Sequence, residues 1–128
     1  MTRTMRRCAV LIGIAGFTVV LAAQLACARD VPDRSIVLKK IQACALVVDV
    51  RTPAEFAAWH VAGAINIPLD QIEKRIGEFG DRNRPIVVYC RTANRSGVAK
   101  KILQRYGFTD VTNGGGLRDM PPIERTRC

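Results

Sequence analysis

The stretch that decides the fold runs from Pro85 to Lys100 and has the sequence PIVVYCRTANRSGVAK. It opens with an apolar run, Ile86 to Tyr89, whose β-branched and aromatic residues predict a buried strand. It continues into residues 97–105, where apolar and charged side chains alternate at helical spacing. Ser96 is suited to cap that helix or to lie in its first turn. The stretch therefore predicts a strand, a short loop of residues 91–95 and a helix.

Cys90 stands between the predicted strand and that loop. A tight strand–loop–helix turn directs backbone N–H groups inward, and the helix dipole adds positive potential. Arg91 and Arg95 add two full charges. A thiol in such surroundings is expected to be a thiolate near neutral pH, so Cys90 is predicted to be a nucleophile rather than a structural cysteine. The residues predicted to bind its substrate are Arg91, Thr92, Ala93, Asn94, Arg95 and Ser96.

The chain is basic, with 20 Lys and Arg residues against 11 Asp and Glu residues and a net charge of +9. Such a balance can indicate nucleic-acid binding, but aromatic residues make up only 5% of the chain and the basic residues are spread along it. The charge is better explained as a surface that attracts a small anionic substrate. No nucleic-acid partner is predicted.

Residues 1–28 read as a signal peptide. Three arginines precede an apolar segment, residues 9–23, and Ala26 and Ala28 supply small residues before a cleavage site. Two alternatives remain: the apolar segment stays uncleaved as a membrane anchor, or Cys27 carries a lipid. All three interpretations export the domain from the cytosol, and only this segment is expected to meet a membrane.

The remainder, residues 29–128, is predicted to be a single domain with a short tail from about residue 121. Strands alternate with helices, which predicts an α/β fold with a mainly parallel sheet covered on both faces. Ligands of such sheets bind beyond the carboxyl ends of the strands, where Cys90 falls. Besides the central strand and its helix, the predicted elements are a helix over 36–43, a strand over 45–50, a capped helix from Thr52 to about His60, a short strand within 61–68, a helix over 70–79 and a strand over 108–112, followed by a flexible loop over 113–116.

The cysteines of the exported domain are Cys44, Cys90 and Cys128, an odd number. Cys44 and Cys128 could pair in an oxidising compartment, or Cys128 could stay free in the tail. The sequence has no Cys-x-x-Cys pair and a single histidine, His60. Neither a redox pair, a metal site nor a cofactor is predicted, and His60 is expected to pack rather than to catalyse.

Asp49 and Arg51 are predicted to support the site. Asp49 ends a strand, and the favoured interpretation is a structural carboxylate bonded to Arg51 in a turn. The alternative is that Asp49 pairs with a loop arginine and orients the loop. Glycines 114–116 could let the chain pass close to the Cys90 loop, or they could form a surface turn.

Together these segments resemble a single-domain rhodanese, and in particular the small periplasmic rhodaneses of the bacterial phage-shock type. The resemblance covers about residues 45–120 and rests on the order and spacing of five pieces. It implies a three-layer rhodanese-like fold and a sulfurtransferase that carries sulfane sulfur on Cys90, from thiosulfate or a similar donor to cyanide or a thiol. The pieces are VDVR (48–51), EF (55–56), HVAGAINIP (60–68), YCRTANRS (89–96) and GGLRD (115–119).

One position departs from the family, since many members have glycine where this chain has Ala93. If that position needs a positive φ, Ala93 strains the loop. A second candidate function is a non-enzymatic sulfur-relay module. A third is a phosphatase or arsenate reductase, because related cell-cycle phosphatases share the architecture. Their loops have five residues between the cysteine and the arginine, whereas only four separate Cys90 from Arg95 here.

Overall fold

The computed structural model describes residues 31–123 and residue 128. The predicted signal peptide therefore lies outside the described residues, as do residues 124–127 of the predicted tail. In the described part of the chain, no helix is long and apolar enough to cross a membrane.

The centre of the domain is a four-stranded sheet in which all neighbouring strands are parallel. The strand order is β2-β1-β3-β4, so β3, the strand that ends in Cys90, lies inside the sheet. All five residues of β3 are buried, which explains its continuous apolar sequence. The strands are β1 (Leu46–Asp49), β2 (Ile65–Asn66), β3 (Ile86–Cys90) and β4 (Val111–Gly116).

Helical segments cover both faces of the sheet, so the predicted three-layer α/β fold is confirmed. Successive β3 residues point to opposite faces. Val88 and Cys90 pack in a core with Leu103 of α3, whereas Val87 packs with Val37 of α1 on the other face. The helices are α1 (Arg34–Gln42), α2 (Pro53–Ala58) and α3 (Asn94–Arg105), with two 3-10 turns at Leu69–Gln71 and Ile76–Phe79.

The predicted helix over 70–79 is wrong, because this segment forms the two separate 3-10 turns. The apolar residues that suggested a helix are buried without forming one, since Ile72 and Phe79 are both fully buried. Gly77 weakens the propensity of the segment for a regular helix. Burial of the two apolar side chains therefore shapes the segment more than local propensity does.

The last strand also differs from its prediction. Residues 113–116, predicted as a flexible loop, form the last four of the six residues of β4, which is buried throughout and begins at Val111 rather than at 108. Glycines are typical of loops, but here they allow close packing. A Cβ at Gly114 would lie 2.7 Å from the sulfur of Met120, and one at Gly116 would lie 2.5 Å from the Arg91 carbonyl oxygen. The expectation that these glycines let the chain pass close to the Cys90 loop is confirmed.

Helix boundaries shift in three places. Helix α3 begins at Asn94, so the loop after Cys90 is only residues 91–93, and Ser96 lies in the first turn of the helix. Helix α1 begins two residues earlier than predicted, because the Asp33 carboxylate accepts a hydrogen bond from the Ser35 N–H at 3.0 Å. Helix α2 starts with the predicted Thr52–Glu55 capping box, but ends at Ala58.

A disulfide joins Cys44, just after α1, to Cys128 at the end of the chain. The Cα atoms of the two residues lie 5.8 Å apart. Of the two possibilities left open by the sequence, the paired one therefore holds. Cys90 is the free cysteine among the described residues.

Candidate active site

Cys90 is the last residue of β3 and lies at the carboxyl end of the parallel sheet, as predicted. The residue is only 1% exposed. It lies beneath the loop of residues 91–93, which leads directly into the first turn of α3. The fold thus places one thiol at the junction of a buried strand and a helix N-terminus.

The loop turns through Ala93, which has a left-handed backbone with φ of 75°. This confirms the strain expected at this position, because a Cβ disfavours that conformation. The Gly97 N–H donates to the Ala93 carbonyl oxygen at 3.0 Å. The single hydrogen of the Ser96 hydroxyl can go to this oxygen at 3.1 Å or to the Cys90 sulfur at 3.4 Å. Asn113 of β4 also donates its side-chain N–H to the Ala93 carbonyl oxygen at 3.4 Å. The surrounding contacts therefore fix a turn that the residue itself does not favour.

Donors converge on the Cys90 sulfur from this turn. The Ser96 hydroxyl lies 3.4 Å from Sγ, and the backbone N–H groups of Thr92, Ala93 and Ser96 also bond to the sulfur. Burial raises the pKa of the Cys90 thiol, but these hydrogen bonds outweigh it and leave the pKa below its ordinary value. The site therefore favours a thiolate through hydrogen-bond donors at short range.

Arg95 is partly exposed and pairs with Glu55 of α2. Its Nη1 lies 2.9 Å from Oε2 and its Nη2 lies 3.0 Å from Oε1. The bond from Arg95, with those from Thr52, lowers the pKa of Glu55 to about 2 against a smaller opposing effect of burial. The sequence indicates Glu55 only as part of a helix cap, because no local pattern links it to Arg95, 40 positions away. The one hint of a further role was that Glu55 belongs to the EF segment, residues 55–56, of the family resemblance.

Arg91 behaves differently from Arg95. Its side chain is 74% exposed and its Nη1 reaches only to 3.9 Å from the Glu55 carboxylate. It lines a cavity of about 600 Å³ that opens beside the Cys90 loop. The cavity is bordered by Arg91, Thr92 and Asn94 on one side and by residues 116–119 on the other.

The predicted supporting pair lies beneath the site. Asp49 is fully buried, and its carboxylate accepts three hydrogen bonds from the Arg51 side chain at 2.6–3.0 Å. Arg51 also donates to the Trp59 carbonyl oxygen at 2.7 Å. Asp49 thus bonds to Arg51 rather than to a loop arginine, in agreement with the structural interpretation. The pair fixes the chain that follows β1.

His60 lies on the surface, with its ring stacked on Phe56 at 3.7 Å between centroids. Its Nδ1 is 2.8 Å from the Phe56 carbonyl oxygen. Within residues 31–123 and residue 128, no group of three or more His, Cys, Asp or Glu side chains is arranged to hold a metal ion. His60 therefore packs, as expected.

Chemically, the arrangement holds a thiol that favours its anionic form beneath a loop, and residues of that loop border an open, partly cationic cavity. The donors that surround the sulfur can stabilise negative charge on it before and after a reaction. A thiolate attacks sulfur without the help of a general base, so the reaction does not require a histidine beside Cys90.

Comparisons with known proteins agree with this geometry. Residues 33–117 match the rhodanese-like domain family. The chain is 45% identical over 80 residues to the thiosulfate sulfurtransferase PspE of Escherichia coli. This alignment covers 60% of this chain and 77% of PspE. It is 30% identical over 79 residues to a thiosulfate:glutathione sulfurtransferase of Saccharomyces cerevisiae, covering 52% of this chain and 57% of that protein.

A solved structure of a rhodanese with anions from E. coli superposes with a TM-score of 0.57 and 43% sequence identity. The match covers 62% of this chain and 98% of that one. The aligned family segment includes the whole sheet and the Cys90 loop. The chain therefore belongs to the rhodanese-like domain family, and it is a sulfurtransferase of the rhodanese type.

Proposed function

We propose that this enzyme moves sulfane sulfur from thiosulfate, or a similar anionic donor, to cyanide or a thiol through a persulfide on Cys90. The observation that supports it most directly is the ring of donors around the Cys90 sulfur. The Ser96 hydroxyl and three backbone N–H groups bond to a sulfur that is almost fully buried. Such donors suit the Cys90 thiolate, which attacks the donor and is restored at the end of the cycle, whereas in the persulfide the negative charge lies on the outer sulfur.

In the first step the Cys90 thiolate attacks the outer sulfur of thiosulfate. A bond forms between the two sulfurs, the sulfur–sulfur bond of the donor breaks, and sulfite leaves with the electron pair. In the second step cyanide, or a thiolate acceptor, attacks the outer sulfur of the Cys90 persulfide. Thiocyanate or a new persulfide leaves, and the Cys90 thiolate is restored.

The residues that follow Cys90 divide the remaining work in this proposal. The backbone N–H groups of Thr92, Ala93 and Ser96 stabilise the thiolate and the persulfide. Arg91 attracts the anionic donor from its exposed position. Arg95, paired with Glu55, holds the loop against α2. Asn94 borders the cavity into which the donor enters.

Names of relatives support the choice of donor. PspE is named a thiosulfate sulfurtransferase, and the yeast protein is named a thiosulfate:glutathione sulfurtransferase. The second name joins thiosulfate to a thiol, so both donor and acceptor of the proposal have a precedent. A sulfur-relay module that hands sulfur to a partner protein is the alternative, and it uses the same Cys90 persulfide.

A phosphatase or arsenate reductase is disfavoured by the size of the loop. Four residues separate Cys90 from Arg95, and three of them form the whole turn before α3. The turn closes tightly on one sulfur, and its Arg95 is already engaged by Glu55. A tetrahedral phosphate bound to Cys90 would need a wider ring of donors.

Mass spectrometry of the purified protein tests the central step. After thiosulfate is added, the peptide that contains Cys90 should gain one sulfur atom, and cyanide should remove it. The matched control is Cys90→Ser, which should fold with the same circular dichroism spectrum and gain no sulfur. An unmodified Cys90 peptide, or full sulfur transfer to cyanide by Cys90→Ser, would contradict the proposal.

We further propose that the functional domain spans residues 29–128 and acts in the periplasm after removal of the signal peptide. The Cys44–Cys128 disulfide supports this, because disulfides persist in oxidising compartments. N-terminal sequencing of the periplasmic protein should read Arg29 first. An intact Met1, or a lipid on Cys27, would favour a membrane-anchored form facing the periplasm.

A further inference from the structure

We propose that Arg118, in the turn after β4, works with Arg91 to bind the sulfonate end of the sulfur donor. This inference rests on the proposed function and names the class of donor that the site accepts. That class is dianions with a sulfonate group next to the transferable sulfur, of which thiosulfate is the smallest.

Arg91 and Arg118 border the same cavity from two sides. Arg91 follows the nucleophile, whereas Arg118 comes from the segment that β4 delivers to the same edge of the sheet. The two segments touch at Gly116, where an added Cβ would lie 2.5 Å from the Arg91 carbonyl oxygen. The all-parallel topology thus brings two cations that are 27 positions apart in sequence (118 − 91) to one opening.

The charges around the opening leave these two guanidinium groups available. Glu55 is engaged on both oxygens by Arg95, so that pair is nearly neutral toward a ligand. Arg91 lies 3.9 Å from the same carboxylate and is mostly exposed. Arg118 is exposed, and none of the ion pairs found in the described residues includes it.

Asp119 is the acidic group that also borders the cavity. Its Oδ2 accepts a hydrogen bond from the Gly116 N–H at 2.7 Å, so the carboxylate is used within its own turn. The cavity therefore combines two cations that have weak or no protein partners with one anion that is already bonded. Two guanidinium groups and one carboxylate leave the lining of the cavity with a net charge of +1, which attracts an anionic donor.

The backbone that carries Arg118 is held firmly. Arg34 of α1 donates its Nε–H to the Asp119 carbonyl oxygen at 3.0 Å, and its Nη2 donates to the Arg118 carbonyl oxygen. The Asp119 N–H bonds to the Gly116 carbonyl oxygen at 2.9 Å. The turn is thus fixed from both sides while the Arg118 side chain stays exposed. A positioned backbone lowers the entropy lost when the side chain binds an anion.

Guanidinium groups suit this ligand, because their planar forks match the paired oxygens of sulfonates, phosphates and carboxylates. With the sulfonate oxygens between Arg91 and Arg118, the outer sulfur of thiosulfate is left to face the Cys90 loop. This orientation selects donors by their anionic end and leaves the transferred sulfur free to react.

Steady-state kinetics on Arg118→Ala and Arg118→Lys tests the inference. Arg118→Ala should lower kcat/KM for thiosulfate about tenfold, the lower end expected for a charge-assisted contact at an exposed site. Arg118→Lys should keep part of the kcat/KM that Arg118→Ala loses. Arg105→Ala is the matched control, because Arg105 is exposed at the last turn of α3, about 16 Å along the helix from Asn94. It removes the same charge and should leave kcat/KM within about twofold of wild type.

A second measurement does not depend on turnover. Sulfate should protect Cys90 of the wild type from alkylation by neutral iodoacetamide, and Arg118→Ala should need about tenfold more sulfate for half-protection. Equal sulfate protection and equal kcat/KM in the wild type and Arg118→Ala would overturn the inference. So would an equal loss in Arg105→Ala. If sulfate protection depends on Arg118 but Cys90 gains no sulfur from thiosulfate, the proposed function fails and the anion site stands.

Discussion

Glu55 and Arg95 form a two-pronged ion pair, with N–O distances of 2.9 and 3.0 Å, that ties the first turn of α2 to the first turn of α3. The two residues are 40 positions apart in sequence. Because Glu55 also accepts a hydrogen bond from the Thr52 N–H at 3.0 Å, the same carboxylate caps one helix and anchors the other. The active-site loop is therefore held by a contact outside itself.

The first prediction concerns this pair. Glu55→Gln keeps an acceptor for the capping box but removes the charge that holds Arg95. We expect the free energy of unfolding to fall by about 1 kcal/mol, since the pair is partly exposed and screened. Urea denaturation measures it. Glu78→Gln, at the exposed pair with Arg75, is the control and should cause a smaller loss. Equal losses would show that the Glu55–Arg95 pair contributes no more to the free energy of unfolding than the Arg75–Glu78 pair does.

The same pair predicts how stability changes with acid. The pKa of Glu55 is lowered to about 2, chiefly by its hydrogen bonds from Arg95, so its folded-state pKa lies below the ordinary value of 4.5. Its contribution to stability is therefore present above about pH 4.5 and is lost as the pH falls through about 2. Unfolding curves of Glu55→Gln and wild type should converge over that range. A constant gap down to pH 2 would contradict the assignment.

The second prediction concerns the Cys90 thiolate. Ser96→Ala removes the hydroxyl that lies 3.4 Å from Sγ, so the pKa of Cys90 should rise toward its ordinary value. Alkylation by iodoacetamide increases with pH through that pKa, and the curve of Ser96→Ala should lie at higher pH than that of the wild type. Thr92→Ala is the control, because Thr92 bonds to the sulfur through its backbone N–H. Unchanged curves in both variants would contradict the role of the hydroxyl.

The third prediction concerns the close contact between β4 and the loop. In Gly116→Ala the new Cβ would lie 2.5 Å from the Arg91 carbonyl oxygen, so either the strand or the loop must move. We expect a loss of about 2 kcal/mol in the free energy of unfolding and a marked fall in sulfur transfer. In Gly77→Ala the added Cβ meets nothing within 4 Å, so this control should keep both. Normal activity in Gly116→Ala would show that the contact is dispensable.

The fourth prediction concerns the disulfide. Cys128→Ser should lower the free energy of unfolding by about 2–4 kcal/mol, because the Cys44–Cys128 bond closes most of the domain into one loop. A reductant should lower the stability of the wild type to that of the variant and leave the variant unchanged. If the reductant destabilised wild type and Cys128→Ser equally, its effect would not come from breaking the Cys44–Cys128 disulfide, and the prediction would be wrong.

Local features determined much of the architecture. The buried strand from Ile86 to Tyr89, the helix after the loop and the capping box at Thr52 were all predicted, because apolar periodicity and helix caps act over a few residues. The position of the nucleophile at the carboxyl edge of a parallel sheet followed from the same alternation of strands and helices. The pairing of Asp49 with Arg51, two residues apart, was the favoured one of two interpretations, because a short turn after a strand brings such neighbours together.

Contacts between distant residues were decided by the tertiary structure alone. The partner of Arg95 is Glu55, and the partner of Cys44 is Cys128, but no local pattern connects either pair. A loop is predicted for the glycines of β4, since a residue without a side chain gives no periodic signal. In the structure these residues pair with β3 and pack closely against Met120 and the Cys90 loop. Local sequence thus pointed to Cys90 as the candidate nucleophile, whereas the folded chain decided which cations lie near it, because charge balance depends on neighbours in space.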